Sequence, residues 1–376
     1  WMATTFHGGP YQPLSWLSLG VDHALFGMNP QAMHATNLAL HAATAIAFFF
    51  LARRILALAA PGVAGEVAAF SAALCFAVHP LRVESVAWIT ERRDVLSGLF
   101  YVLAALAYLH AAAEDRGRRR TILLATSLFA FLLGLLAKAS GIALPLAFVL
   151  LDRWPLRRSW RESLVEKIPF ALLAVPFAVL AVLGQASVPH ELRALGEHGL
   201  AERLAQAAYA AVFYATKTLV PVRLSPIYEF PASIDPLALR FAGAAIVAVA
   251  VTGLLFALRR SIPAAWTAWA AFLVILVPVS GIVQAGPQLV ADRYSYLSCM
   301  PFALVAAGAL FSRLPRLASA VALAVVAALG VLTWNQTMLW RDTEALFTRA
   351  LEIDPRSRIA HDVVGKMLGM RGRLDE

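Results

Sequence analysis

Residues 241–258 read FAGAAIVAVAVTGLLFAL and are closed by Arg259-Arg260. No charged side chain interrupts the run. Counted from Ala238, the segment 238–258 has the ~20 residues that a helix needs to cross the hydrocarbon of a bilayer. Working outward from it, comparable apolar segments fall at 34–58, 94–113, 121–138, 168–186, 264–281, 295–312 and 316–336, with two shorter ones at 66–79 and 140–152. The stretch 200–220 is apolar but broken by Lys217 and Pro221, which assigns it to the membrane interface. The 376 residues are 60% hydrophobic and 15% charged, against about 25% charged in soluble domains. That balance excludes a soluble globule, a disordered chain and a collagenous one. Two cysteines, Cys75 and Cys299, both in apolar runs, exclude a disulfide-stapled domain and favour packed thiols. The expectation is an all-α fold: a polytopic membrane helix bundle of about ten spans over residues 1–338.

Charge orients such a bundle, because Lys and Arg in short loops resist translocation. With an external N-terminus, the inside loops hold 15 basic residues, among them Arg116, Arg118, Arg119, Arg120, Arg153, Arg157 and Arg158. The longer outside loops hold ten. Counting 200–220 as a span would move Arg259-Arg260 and Arg313-Arg316 outside. Both termini are therefore expected on the external, periplasmic or lumenal side. The net charge of +9 has this membrane explanation. No basic stripe with interleaved aromatics points to nucleic acid.

From Trp340 the pattern becomes soluble and helical. Phe347, Ala350 and Pro355 have the spacing of the second helix of a tetratricopeptide repeat. Gly365 and Gly372 fit the first helix and turn of another, making 339–376 the start of a repeat array.

Four polar groups lie against the external ends of the spans, where charge costs several kcal/mol unless it is paired or hydrated. The first is His79-Pro80-Leu81-Arg82-Val83-Glu84, then Trp88, then Glu91-Arg92-Arg93-Asp94. In one continuous helix Glu84, Trp88 and Glu91 would share a face. Arginine beside a carboxylate at a lipid headgroup suits bidentate phosphate binding, and equally an interfacial anchor. The second is Lys138, read either as a snorkelling lysine or as a cation inside a cavity. The third comprises Gln284, Gln288, Asp292, Arg293, Tyr294 and Tyr296, whose charges could pair with the first group across the bundle. The fourth is Tyr11-Gln12-Pro13, Asp22-His23, His34, Asn37 and His41. Its histidines lack a carboxylate on the same stripe, so packing is favoured and no metal is assigned. Gly8-Gly9 lacks the following Lys and Ser/Thr of a nucleotide loop, and no cofactor is implied.

These residues, in this order, resemble the transmembrane and tetratricopeptide-repeat O-mannosyltransferases, within the polyprenyl-phosphate-sugar-dependent, GT-C-type glycosyltransferases. The resemblance rests on Tyr11-Gln12-Pro13-Leu14-Ser15, Asp22-His23-Ala24-Leu25-Phe26-Gly27, His34, Asn37, His41, His79-Pro80, Glu84, Arg92, Asp94, Lys138, Asp292-Arg293 and Tyr296. It implies a GT-C-like bundle that moves a sugar, usually mannose, from a lipid phosphate to a protein Ser/Thr hydroxyl on the external face. Arg92, Asp94, Arg293 and Lys138 are then the donor-phosphate residues. His79, Glu84, Asp292 and Tyr296 line the cavity, and the repeats present the protein acceptor. The resemblance also implies an acidic base, on a motif ahead of the Tyr-x-Pro-Leu run and after a first membrane helix. That motif is expected upstream of Trp1, so this stretch alone is expected to be inactive. Ser298 stands where relatives usually carry proline. The chemistry needs a carboxylate to take the hydroxyl proton and cations to hold the phosphate as charge develops. The competing readings are a non-catalytic membrane scaffold displaying repeats and a lipid-linked-sugar polymerase or ligase. A transporter would place its charges at midplane in paired broken helices.

Overall fold

A computed structural model describes residues 9–61, 65–188, 198–283 and 286–371. Trp1, Gly8, Gln284 and Gly372, which figure in the sequence reading, lie outside these residues. The fold is an all-α bundle with one two-stranded ribbon. In order its elements are α1 (Pro13–Phe26), α2 (Pro30–Ala59), α3 (Gly65–Ala77), α4 (Val83–Ala87), α5 (Arg92–Ala112), α6 (Arg118–Ala137), α7 (Leu144–Arg153), α8 (Trp160–Ala186) and α9 (Leu200–Leu219). Strand β1 (Tyr228–Glu229) follows, then α10 (Leu239–Ala257), α11 (Pro263–Leu276), β2 (Gln288–Val290), α12 (Ser295–Ser298), α13 (Met300–Arg313), α14 (Ala318–Leu339), α15 (Thr343–Ile353) and α16 (Arg358–Met370).

Among the described residues, six helical stretches are long and apolar enough to cross a membrane: Pro30–Ala59, Ile89–Ala112, Arg118–Ala137, Trp160–Ala186, Leu239–Ala257 and Ala318–Leu339. Two bent pairs raise the number to eight. Gly65–Ala77 turns by 54° into Pro80–Ala87, and Asp292–Ser298 turns by 56° into Met300–Arg313. The remaining two of the ten expected segments are shorter. Pro263–Val279 is apolar but below that length, and α7, with ten residues, reaches only ~15 Å. The helix α9 is not among the qualifying stretches; it buries Ala205, Gln206, Ala210, Ala211 and Tyr214 and packs on α10 and β2.

Local chemistry sets the breaks. Pro80 has no N–H to continue α3, and the His79 ring takes over by accepting from the Leu81 amide at 3.2 Å. The helix expected to carry Glu84, Trp88 and Glu91 on one face is not continuous. It stops at Trp88, whose ψ of 108° is extended, and restarts as a 3-10 turn over Ile89–Glu91. Other ends follow ordinary capping: Asn29 accepts from the amides of Gln31 and Ala32, and Ser159 from that of Glu162.

The main core joins α2, α3, α5, α6, α7, α8 and α13, with Phe48, Phe76, Tyr101, Phe131, Phe148 and Phe170 at its centre. Gly98 belongs to its geometry, since a Cβ there would overlap the Tyr296 ring. The absence of that atom lets α12 lie against α5. The last two helices, α15 and α16, pack on each other and are capped by Asp342 and Ser357. They meet the rest of the chain through Glu229 of β1, which accepts from Ser357 Oγ at 2.9 Å and the Ile359 amide at 3.2 Å.

Candidate functional site

Both bent pairs deliver their polar ends to one place. Glu84, on α4 beyond the first bend, accepts from the Arg293 amide at 2.8 Å and forms an ion pair with the Arg293 guanidinium. The two residues are 209 apart in sequence. Glu91 sits beside them, fully buried. It takes a fork from Arg93 (2.6 and 2.9 Å), and Arg293 Nε and Lys138 Nζ stand at 3.4 and 3.5 Å. Lys138 pairs with Asp94, and Ser85 Oγ reaches the other oxygen of Asp94 at 3.4 Å. Asp292 accepts from Tyr228 Oη at 3.0 Å.

Lys138 is thus turned inward, and the anchor reading of that residue gives way to the cavity one. It ends α6 as the C-cap residue, and its Nζ pairs with Asp94 on α5. Asp94, Lys138, Arg293 and Tyr296, together with Ser97, Ser140 and Tyr294, line a narrow polar cleft of about 20 Å³, room for about one water. Five residues singled out in the sequence, Asp94, Lys138, Arg293, Tyr294 and Tyr296, therefore line one cleft.

Arg92 is not in that wall. It is fully buried and gives its donors to Asp22 at 2.6 Å, Met33 O at 2.9 Å, Ser18 at 3.0 Å and the Asn37 side chain. Those partners belong to α1 and α2, so Arg92 ties the first turn of α5 to both helices. The arginine at the Trp88 ring is Arg293, whose guanidinium carbon lies 5.3 Å from the ring centre. His79 is also committed. Its Nδ1 accepts from Leu81, so Nε2 carries the proton and donates to Thr218 O at 3.0 Å. His41, by the same logic, donates to Ala77 O and accepts from the Tyr296 hydroxyl at 2.8 Å. Asn37 and His41 are buried on the predicted face of α2, while His34 is exposed. Among the described residues no three His, Cys, Asp or Glu side chains are grouped so as to hold a metal ion.

Sequence reasoning underrated three residues. Glu91 appears there only as part of a charge run, yet it is the carboxylate that Arg93, Arg293 and Lys138 share. Tyr228 sits in a loop-like stretch without signal, and only the β1–β2 pairing brings it to Asp292. Arg82 had the same neighbours in sequence as Glu84. It is 4% exposed, donates to Ser295 at 2.6 Å, and its Nε and Nη1 have no partner.

A second buried charge cluster was read only as loop arginines. Asp152 accepts from Tyr108 Oη (2.6 and 2.7 Å), Ser163 Oγ at 2.7 Å and Arg158 at 3.1 Å, and pairs with Lys167. Arg158 forks onto Glu166 at 2.7 Å on both arms. This group lies toward the opposite end of α5, ~21 Å from Asp94 by the helix rise.

Curated relatives align with part of the chain. Protein O-mannosyl-transferase TMTC2 of Homo sapiens is 36% identical over 112 residues, 29% of this chain and 13% of its own length. Protein O-mannosyl-transferase TMTC1 of Homo sapiens is 37% identical over 98 residues, 26% of this chain and 10% of its own. Protein O-mannosyl-transferase Tmtc3 of Drosophila melanogaster is 29% identical over 124 residues, 30% of this chain and 13% of its own. The chain is TMTC-like over these stretches. The resemblance drawn from the polar motifs is borne out to that extent, and the match spans about an eighth of the length of these TMTC relatives. No family model and no solved structure matches the chain.

Proposed function

We propose that this chain is the membrane part of a glycosyltransferase that moves a sugar, of the mannose type, from a polyprenyl-phosphate donor to a protein Ser/Thr hydroxyl at the external surface. The observation that carries the reading is the convergence of Asp94, Lys138 and Arg293 from three distant stretches on one cleft, in a chain similar to proteins named O-mannosyl-transferases. A phosphate oxygen presented at the mouth of that cleft would meet two cations and the Tyr296 ring. Lys138 and Arg293 stabilise the phosphate as the glycosidic bond breaks and negative charge grows on it, and Asp94 keeps the lysine pointed inward. Glu84 and Asp292 hold Arg293 and its loop. Arg92 belongs to the same machinery as the brace that fixes the first turn of α5, from which Asp94 projects.

The acceptor is a protein segment led to the site by the helical repeats that α15 and α16 begin. In support of this, a cleft of about 900 Å³ runs between these helices, the end of α14 and residues 221–224, with Arg223, Asn335, Gln336, Asp342 and Glu344 on its walls. The charge bias of the loops supports an external, periplasmic or lumenal position for the cleft and the repeats. The carboxylate base is assigned to the acidic motif that the resemblance implies ahead of Tyr11. Transfer of radiolabelled mannose from polyprenyl-phosphate mannose to an acceptor protein, in membranes holding the protein, tests the reading. Transfer that survives Lys138→Gln and Arg293→Gln unchanged, per folded molecule, would defeat it.

A further inference from the structure

Two paths of contacts lead from the last two helices to Arg293. The first starts at the N-terminal turn of α16, where Ser357, Arg358 and the Ile359 amide converge on Glu229 of β1. Its chain neighbour Tyr228 pairs with Val290 of β2 and donates through Oη to Asp292 at 3.0 Å. Asp292 directly precedes Arg293. The second path starts at Trp340, which ends α14 two residues before Asp342, the cap of α15. Its ring lies 6.3 Å from that of Trp88, and the Trp88 ring lies 5.3 Å from the guanidinium carbon of Arg293. Trp88 is 40% exposed, so its ring contributes through these two contacts rather than by filling a core. Paths that end on one side chain couple it to their origin when the element at that origin has two arrangements. The helices α15 and α16 meet this condition. A cleft of about 900 Å³ runs between them and the end of α14, and their seat on Glu229 is polar, with Arg358 87% exposed. Segments seated in this way open at far lower free energy than a packed core.

We infer that Trp88 and Tyr228 are positioning residues through which the docking of α15 and α16 sets the place of Arg293 in the polar cleft. With the two helices docked, Tyr228 fixes Asp292 and Trp88 meets the guanidinium. With them undocked, Arg293 keeps Glu84 and Glu91 and loses support from both flanks. Coupling of this kind is reciprocal, so removing Arg293 loosens the docking by the same factor. The inference rests on the transferase reading only for the task of Arg293; the two paths are read from the contacts.

The test uses the purified protein in nanodiscs and needs no ligand. Arg358→Glu sets a like charge against Glu229 from the exposed side of α16. It should raise the rate of limited proteolysis between α14 and α15 about 3- to 10-fold, because that rate follows the population of the open form. Amide hydrogen exchange over 290–295 should rise by a similar factor, with exchange in α6 unchanged. Arg293→Gln should quicken the same proteolysis by a factor of the same order. In the double variant Trp88→Leu with Tyr228→Phe, Arg358→Glu should still quicken proteolysis but move exchange over 290–295 by less than about twofold. Trp88→Tyr, which keeps an aromatic face for the guanidinium, should retain most of the coupling. Exchange over 290–295 unmoved by Arg358→Glu, wild-type proteolysis in Arg293→Gln, or coupling undiminished in the double variant would each overturn the inference. In a transfer assay Arg358→Glu should lower kcat and leave the donor KM nearly unchanged, as for a contact made as charge develops. Coupled exchange with kcat unmoved would count against the role of Arg293 in transfer and leave the two positioning residues standing.

Discussion

The two ends of α5 each carry a buried charge cluster, and the two are built differently. Around Asp152 the partners come from residues 108–167, every oxygen of the carboxylate is met by donors, and Tyr108 stacks on Phe148 with ring centres 4.5 Å apart. Around Glu91 and Asp94 the partners come from residues 82–94, 138 and 292–293, a cleft opens between them, and a neighbouring arginine keeps two unused donors. A closed cluster holds helices together and has nothing left to offer a ligand. An open one, assembled from distant stretches, has to be tolerated by the fold and is where binding is to be sought.

The sharpest way to break this contrast is to delete the carboxylate of the closed cluster. Asp152→Ala leaves Lys167 with only the Tyr108 hydroxyl, and losing one member of a buried pair costs about 3–5 kcal/mol. Thermal unfolding in nanodiscs should show that loss, with transfer per folded molecule unchanged. Asp152→Asn combined with Lys167→Met should restore most of the stability. A fall in specific activity as large as that of a cleft variant would erase the distinction between the two ends.

Lys138→Gln probes the open end. If Lys138 stabilises charge on the departing phosphate, transfer should fall by on the order of 10²–10³, about 3–4 kcal/mol, with a smaller change in melting temperature than Asp152→Ala gives. A purely structural lysine would reverse that order.

Gly98→Ala pushes on the same site from behind. The added methyl meets the Tyr296 ring, and overpacking of this kind costs about 1–3 kcal/mol. Tyr296 lines the cleft, so the variant should lose both stability and transfer. Gly243→Ala, in open space on α10, should lose neither.

The smallest effect concerns α15 and α16. Burial alone would raise the Glu229 carboxyl, but hydrogen bonds from the Ile359 amide, Ser357 and Arg358 outweigh it and hold Glu229 below the ordinary carboxylate range. A depressed folded value means that the contact contributes above the unfolded value of ~4.3 and is lost as pH falls through the lower folded one. Limited proteolysis between α14 and α15 should quicken in that acid window. Glu229→Gln should make the rate equally fast at neutral pH, with a cost on the order of 1 kcal/mol or less at this partly exposed site.

How much of this was legible beforehand follows from the range of the interactions. Apolar run length marked the qualifying spans, because it depends only on neighbours along the chain. Lys138, Arg293 and Asp94 could be named as candidates because an isolated charge against an apolar segment is conspicuous. Their pairings could not be read, since Glu84 and Arg293 are 209 residues apart. Arg92 and Arg82 show the limit most clearly. In sequence both are arginines next to a carboxylate at a helix end, and Arg92 had the better motif. In the fold Arg92 spends its donors on α1 and α2, whereas Arg82 gives one to Ser295 and keeps Nε and Nη1 buried without a hydrogen-bond partner. Hydropathy and spacing, being local, determined that this chain is a helical bundle with charge at its margins. Which charge is neutralised and which is left to meet a ligand depends on side chains that only tertiary packing brings within 3 Å.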